Sequence, residues 1–210
     1  MRVRLTLVAD GPSDIALVPI IRWTAGQAYP DAVIAVEFLD VRSLPRPPKG
    51  VREKVEVAID LFPCDCVVVH RDAEREQPAS RREEIDLALK GLAFPYVAVV
   101  PVRMTEAWLL HDEIALRKAA GNPSGTVDLQ LPGPASERLP DPKTKLEEAL
   151  RLASEFHGRR RKKFVVNDAK RRVSELIVDH APLRALPAFV AFESELKKVL
   201  DHLRAKLGPS

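Results

Sequence analysis

The stretch Val67-Val68-Val69-His70-Arg71-Asp72-Ala73-Glu74 is an apolar, β-branched run that ends abruptly at two carboxylates spaced two residues apart. A run of this kind is typical of a buried strand in a parallel sheet. The carboxyl ends of parallel strands border the crevice in which α/β sheets bind ligands. We therefore expect Asp72 and Glu74 to lie at an edge of the sheet that forms a site.

A second apolar segment, near the start of the chain, ends in the same way. Residues 2–9 are apolar and β-prone, and they lead into Asp10-Gly11-Pro12-Ser13-Asp14. We expect Gly11 to let the backbone turn tightly here and Ser13 to act as the N-cap of a helix. Asp10 and Asp14 should then approach the first acid pair at the same edge.

Strand patterns and helical patterns alternate over the first 120 residues. Strands separated by helices form βαβ units, which close into a parallel sheet with right-handed crossovers. We therefore predict an α/β fold, with a Rossmann-like, mostly parallel four-stranded sheet flanked by helices. After the first strand, strands are predicted over 32–39, 64–69 and 96–102, and helices over 13–28, 51–62, 80–92 and from Thr105.

The pattern changes after Ala120, where Gly and Pro residues interrupt any periodicity. A loop of this length without a role is uncommon, so it either covers the acidic crevice or is mobile. Three further helices are predicted, over 143–157, 168–180 and 189–206. The chain thus divides into an α/β core (1–120), a Pro/Gly-rich loop (121–142) and a helical C-terminal annex packed on the core (143–210).

Length and composition favour a globular protein. A chain of 210 residues with 46% hydrophobic content can bury a sizeable core. No apolar run approaches the roughly 18 residues of a membrane span, and the start of the sequence lacks the pattern of a signal peptide. The two cysteines, Cys64 and Cys66, lack further partners for structural zinc. We expect a soluble, cytoplasmic protein with reduced cysteines.

Charge is unevenly distributed along the chain. Residues 143–210 hold 16 Lys and Arg against 9 Asp and Glu, whereas the other residues hold 17 against 21. The densest basic run is Arg159-Arg160-Arg161-Lys162-Lys163. Together with Lys143, this run would bind the phosphate backbone of a nucleic acid. The alternative is an exposed linker between helices whose charges only aid solubility.

The clustered acids point to a metal site. Carboxylate oxygens are hard ligands suited to Mg²⁺ or Mn²⁺, and several ionised acids in close contact would otherwise repel one another. Glu106 opens the helix after the fourth strand and would face the same crevice. The metal candidates are Asp10, Asp14, Asp72, Glu74 and Glu106. Alternatively, these acids cap helices and interact with helix dipoles.

Several motifs together resemble a known family. They are Val8-Ala9-Asp10-Gly11-Pro12-Ser13-Asp14, His70-Arg71-Asp72-Ala73-Glu74, Pro101-Val102-Arg103-Met104-Thr105-Glu106-Ala107-Trp108-Leu109-Leu110 and Asp141-Pro142-Lys143. Their order resembles the Toprim domain of topoisomerases, primases and the overcoming-lysogenization-defect nucleases. They look more closely like a bacterial Toprim-like family, catalogued as domain of unknown function 4276.

The resemblance implies a Toprim-like fold and a metal-dependent nuclease or phosphodiester-transfer activity on DNA or RNA. It also implies a context of phage defence or mobile elements and an ATPase as partner protein. In such a mechanism Asp72, Glu74 and Asp14 would hold Mg²⁺ or Mn²⁺, while Asp10 would shuttle a proton.

The sequence departs from the Toprim pattern at two positions. The first acid of the family is usually Glu and is here Asp10, and the later pair is usually Asp-x-Asp and here ends in Glu74. Because these changes alter the reach of reactive groups, a non-catalytic Toprim-like interaction module is one alternative. The other is a receiver-like domain phosphorylated on Asp72 and sensed by Thr105, but such a domain requires a Lys after a fifth strand.

Overall fold

The computed structural model describes residues 2–207 and contains one four-stranded sheet in that part of the chain. All neighbouring strands are parallel, in the order β2-β1-β3-β4. The predicted α/β fold with a four-stranded parallel sheet flanked by helices is confirmed. The strands are Arg2–Val8 (β1), Val33–Leu39 (β2), Cys66–His70 (β3) and Tyr96–Val99 (β4).

Helices account for most of the remaining structure. The α-helices are Leu17–Ala28 (α1), Val51–Leu61 (α2), Pro78–Ala88 (α3), Glu113–Ala119 (α4), Pro142–Ser154 (α5), Gly158–Lys163 (α6), Val166–Leu176 (α7) and Pro187–Leu207 (α8). Short 3₁₀ helices span Pro12–Ala16, Val41–Ser43, Thr105–Leu109, Gly133–Arg138 and Ala181–Ala185. No helix in the described residues combines the length and apolar character that a membrane crossing requires.

Strand β3 is buried over its whole length because helices cover both faces of the sheet. Val67 and Val69 pack into a core with residues of α2 and α3. Cys66 and Val68 point to the opposite face, into a larger core with α1 and the C-terminal helices. This two-sided burial explains why the strand reads as an unbroken apolar run rather than an alternating one.

The C-terminal helices complete the larger core. Leu146 of α5, Val173 of α7 and Phe189 of α8 are fully buried in the same cluster as Leu5 of β1. Helix α8 lies against β4, and α7 contacts the Pro12–Ala16 3₁₀ helix at the carboxyl edge of the sheet. The C-terminal segment therefore reaches the region in which the candidate site was expected.

Several local predictions need correction. Strand β4 ends at Val99 rather than at residue 102, because Pro101 has no N–H to donate to a ladder. The segment after Thr105 is a 3₁₀ helix, and α4 was not foreseen. Gly11 has a φ of −137°, an extended conformation open to any residue, so this turn does not require glycine. The basic run, which was expected between two helices without a structure of its own being assigned, forms the helix α6.

The segment 121–142 is tied to the rest of the molecule. Glu155 Oε1 accepts hydrogen bonds from the backbone N–H groups of Thr126 (2.6 Å) and Val127 (3.0 Å). Asn122 Nδ2 donates to the carbonyl of Ala153 at 3.1 Å. These bonds fasten the first half of the segment to the C-terminal end of α5, and the second half forms the 3₁₀ helix Gly133–Arg138.

Candidate functional site

The acids of interest lie where the strand order of the sheet reverses. β1 is flanked by β2 on one side and by β3 on the other. The connection from β1 therefore runs towards one edge of the sheet and the connection from β3 towards the other, and the direction reverses between β1 and β3. A crevice forms at such a switch point, outside the carboxyl ends of the strands. Asp10 follows β1, Asp72 follows β3, and Thr105 and Glu106 come after β4.

His70, the last residue of β3, is the buried centre of the site, with 2% of its surface exposed. Its Nδ1 lies 3.1 Å from the carbonyl oxygen of Val99. A carbonyl oxygen only accepts, so Nδ1 carries a proton and donates it. The other nitrogen, Nε2, therefore faces the acids, at 3.4 Å from Asp72 Oδ1 and 3.8 Å from Asp14 Oδ1.

The Asp72 carboxylate is fixed by Thr105. Its Oδ1 accepts hydrogen bonds from the backbone N–H (3.0 Å) and the hydroxyl (3.3 Å) of Thr105. Burial raises the pKa of Asp72 to about 6, and the negative charges of Asp14 and Glu106 act in the same direction, whereas His70 and the Thr105 N–H oppose the change. Asp72 therefore carries negative charge that its surroundings do not fully neutralise.

Asp14 lies beside this pair and is 8% exposed. Its Oδ2 accepts a hydrogen bond from the N–H of Gly11 at 2.9 Å, which closes the first turn of the Pro12–Ala16 3₁₀ helix. Its Oδ1 is the atom that faces His70. Asp14 therefore caps the 3₁₀ helix, which was one of the two roles that the sequence left open, and it also approaches the acid site.

Asp10 lies at the mouth of the crevice and binds cations of the protein. Lys54 Nζ lies 2.6 Å from its Oδ1, and Arg71 Nε lies 3.2 Å from its Oδ2. Burial alone would raise the pKa of Asp10, but the hydrogen bond from Lys54 and the charges of Lys54 and Arg71 lower it below its ordinary value. Asp10 is therefore held in its ionised form.

Glu74 points away from these groups. It is exposed and has a left-handed backbone, with a φ of 53°. Its N–H donates to the carbonyl of Arg103 at 2.9 Å, and Arg103 also has a positive φ of 66°. The Glu74 carboxylate makes no hydrogen bond or ion pair with the described residues, so the structure does not bring it together with Asp72.

Glu106 is joined to the C-terminal helices through Lys170 of α7. Lys170 Nζ lies 3.8 Å from Glu106 Oε1 and 3.2 Å from Glu147 Oε1 of α5. Sequence reasoning missed Lys170 and Lys54, because helices distant in sequence bring them to the site. Arg71 belongs to the motif that follows β3, but its ion pair with Asp10 was not predicted.

The predicted nucleic-acid-binding residues lie in the C-terminal helices. All five residues of the Arg159–Lys163 run are exposed on α6, and none forms an ion pair with an acid among residues 2–207. Lys143 is exposed in the first turn of α5. Helix α6 leads directly into α7, which carries Lys170 at the acid site.

Among residues 2–207, no three His, Cys, Asp or Glu side chains are grouped so that they could hold a metal ion as they stand. The predicted metal set is instead divided. Asp14 and Asp72 each approach Nε2 of His70. Glu106 affects Asp72 through its charge. Asp10 is instead paired with Lys54 and Arg71.

Comparison of the chain with protein-family models, curated proteins and solved structures finds no significant match. The resemblance to Toprim domains therefore stays a prediction that rests on the motifs alone.

Proposed function

We propose that the protein is a Mg²⁺- or Mn²⁺-dependent phosphodiesterase of the Toprim type that cleaves nucleic acid. The observation that carries the proposal is the approach of Asp14 and Asp72 around His70 at the switch point of a parallel sheet. The context of phage defence and the ATPase partner rest on the motif resemblance alone.

The donor set fits a hard divalent cation in its chemistry. Asp14, Asp72 and Glu106 offer carboxylate oxygens, which Mg²⁺ and Mn²⁺ prefer. Burial, followed by the charges of Asp14 and Glu106, raises the pKa of Asp72, and a bound cation would favour its ionised form. We therefore assign these three acids as the residues that would hold the metal. Asp10 and Glu74 are left out because one is bound to two protein cations and the other points outward.

A bound divalent cation would polarise the phosphate and lower the pKa of a water molecule. The chain's own residues prepare this chemistry. Thr105 fixes Asp72, and the Val99 carbonyl holds the His70 ring so that Nε2 faces the acids. His70 Nε2 is thus placed to hold a proton, a role to which the ionised Asp10 is poorly suited because its pKa is lowered.

The charge distribution supports nucleic acid as the substrate. The exposed cations of α6 lack acidic partners in the described part of the chain, and they precede the helix that carries Lys170 to the site. A phosphate backbone would neutralise them and release counterions.

Two measurements test the proposal together. Mg²⁺ or Mn²⁺ should raise the melting temperature, because a ligand bound only by the native state stabilises it. Asp72→Asn should abolish this shift and the metal-dependent cleavage of labelled DNA or RNA, whereas Glu74→Gln should retain the shift. A metal shift unchanged in Asp72→Asn, or no cleavage of any nucleic acid despite metal binding, would favour a non-catalytic module.

A further inference from the structure

Two cationic side chains converge on one carboxylate at the mouth of the crevice. Lys54 binds Oδ1 of Asp10, and Arg71 binds Oδ2 of the same group. We propose that Lys54 and Arg71 form a binding subsite for a phosphate group, which replaces the Asp10 carboxylate when it binds. This inference rests on the proposed function, because it assigns the side chains that would hold the substrate phosphate at that site.

The geometry of the pair matches two oxygens of one oxyanion. Each cation contacts a different oxygen of the same carboxylate, at 2.6 Å and 3.2 Å. Two oxygens of a phosphate are spaced similarly and carry at least as much negative charge. Arg binds such groups through its planar fork and Lys as a point charge, and both kinds of charge-assisted hydrogen bond are strong.

The Asp10 carboxylate is accessible to solvent, whereas the side chains of Lys54 and Arg71 are more buried. The side chain of Asp10 is 50% exposed, compared with 13% for Lys54 and 24% for Arg71. Arg71 is also held by Glu84, which Arg81 binds in turn. The cations are therefore oriented before a ligand arrives, and the group that they bind is the outermost of the three.

The cations also retain unused donors. An ammonium group has three N–H bonds, and Lys54 Nζ makes one hydrogen bond among the described residues. Arg71 donates through Nε and Nη1. Its Nη2 makes no hydrogen bond among the described residues and is not buried, so it is available to a ligand. A phosphate would thus find donors beyond those that Asp10 occupies.

Fold stability does not explain the arrangement. An ion pair whose carboxylate is half exposed contributes little to stability, and desolvating the Lys54 ammonium is unfavourable. Arg71 lies one residue before Asp72, at the carboxyl end of β3. An anion held by Arg71 would therefore lie at the same carboxyl edge of the sheet as the acids assigned to the metal.

The test uses inorganic phosphate without divalent metal, by titration calorimetry in a chelator at constant ionic strength. Asp10→Asn should bind phosphate about 10-fold more tightly than the wild type, because the competing carboxylate is removed. Lys54→Gln and Arg71→Gln should each bind on the order of 10-fold more weakly, and Lys54→Arg should retain most of the affinity. Arg52→Gln, on the exposed face of the same helix, is the matched control and should change nothing.

Phosphate binding that is unchanged in folded Lys54→Gln and Arg71→Gln would overturn the subsite. If those variants do not fold, Asp10→Asn decides alone, and the absence of tighter binding there would overturn it. The result is separable from the proposed function. Phosphate binding that depends on Lys54 without any effect of Mg²⁺ would leave the subsite standing and remove the metal-dependent activity.

Discussion

His70 Nε2 lies 3.4 Å from Asp72 Oδ1, while the opposite nitrogen of the ring donates to the carbonyl of Val99. In the neutral ring, Nε2 therefore presents a lone pair towards an oxygen that also carries lone pairs. A proton between the two atoms relieves this conflict. Thr105 contacts both His70 and Asp72 and so joins the end of strand β3 to the segment after β4. Because these contacts meet at Asp72, substitution of Asp72 tests the whole arrangement.

Asp72→Asn should make the protein more stable at pH 8 in the presence of a chelator. The folded-state pKa of Asp72 is about 6, above its ordinary value of 3.8, so the native state binds this proton more readily than the unfolded chain. Stability is therefore lost as the pH rises from about 4 to 6. Because 28% of the side chain is exposed, we expect a gain of roughly 1–2 kcal/mol rather than the full ~3 kcal/mol of the shift.

Urea unfolding between pH 4 and 8 measures this difference. The wild type and Asp72→Asn should converge near pH 4 and separate above pH 6. Asp60→Asn, on an exposed position of α2, is the control. Equal stabilities of wild type and Asp72→Asn at pH 8 would show that Asp72 does not carry unneutralised charge.

His180 should make the protein sensitive to acid. It is 1% exposed, its Nδ1 has no hydrogen-bond partner, and its ring packs against Trp23 and His111. Burial lowers its pKa to about 4, and the charge of His111 adds to this, whereas Asp179 and Asp112 oppose it. The unfolded chain binds this proton more readily, so stability is present above about pH 6.5 and is lost as the pH falls towards 4.

His180→Leu should remove a large part of this acid-induced loss, up to about 3 kcal/mol, with little effect at pH 8. Unfolding curves at pH 4.5 and 8 provide the comparison, and His202→Gln on the exposed face of α8 is the control. If His180→Leu loses as much stability between pH 8 and pH 4.5 as the wild type does, other groups cause the acid sensitivity.

Gly125→Ala should destabilise the protein by about 1–3 kcal/mol. A Cβ at this position would lie 2.5 Å from Asn122 Nδ2, 2.7 Å from Glu155 Oε1 and 2.9 Å from Arg117 Nη1. The Asn122 and Glu155 atoms hold segment 121–127 to the C-terminal end of α5, so they cannot move away without breaking hydrogen bonds. Gly26→Ala in α1 meets no atom within 4 Å and should instead stabilise by about 0.5–1 kcal/mol. Thermal unfolding of both variants tests the contrast in sign.

Glu137 should stabilise the 3₁₀ helix that carries Thr105 and Glu106. Its Oε1 accepts from the indole N–H of Trp108 at 3.1 Å, and its Oε2 accepts from the N–H of Ala188 at 3.4 Å. Glu137→Leu would leave the buried Trp108 N–H unpaired, at a cost of about 1–3 kcal/mol, and should weaken the metal-induced stabilisation. Glu137→Gln keeps an acceptor within reach of the indole and is the matched control. Identical unfolding energies for the two variants would contradict this role.

The fold could be predicted from the sequence because its main signals are local. The apolar run Val67 to Val69 predicts a buried strand, and the Gly and Pro residues mark the loops between periodic segments. Both signals depend only on residues that are close in sequence. The site was predicted less completely. The convergence of Asp14 and Asp72 follows from strand ends, but Lys170 reaches Glu106 from a helix more than sixty residues further along the chain. The outward direction of Glu74 depends on a left-handed residue that is not glycine, and composition does not reveal it.

The last prediction concerns the Arg159–Lys163 run, whose exposed cations lie on α6. Binding of the run to a phosphate backbone would release counterions, so affinity should fall steeply with salt. Replacing all five residues by Gln should weaken DNA or RNA binding and reduce the salt slope by roughly one for each phosphate that the protein no longer neutralises. The metal-induced thermal shift should survive, because α6 supplies none of the acids at the site.

A variant with five Gln at other exposed cations controls for total charge; these are Arg22, Lys118, Lys197, Lys198 and Lys206. Fluorescence anisotropy between about 50 and 200 mM salt, the range over which phosphate binding changes affinity by orders of magnitude, measures both slopes. A slope that falls in both variants alike would mean that net charge, and not α6, governs binding. A slope unchanged by the α6 substitutions would leave this helix as a solvated surface and require another surface to hold the nucleic acid.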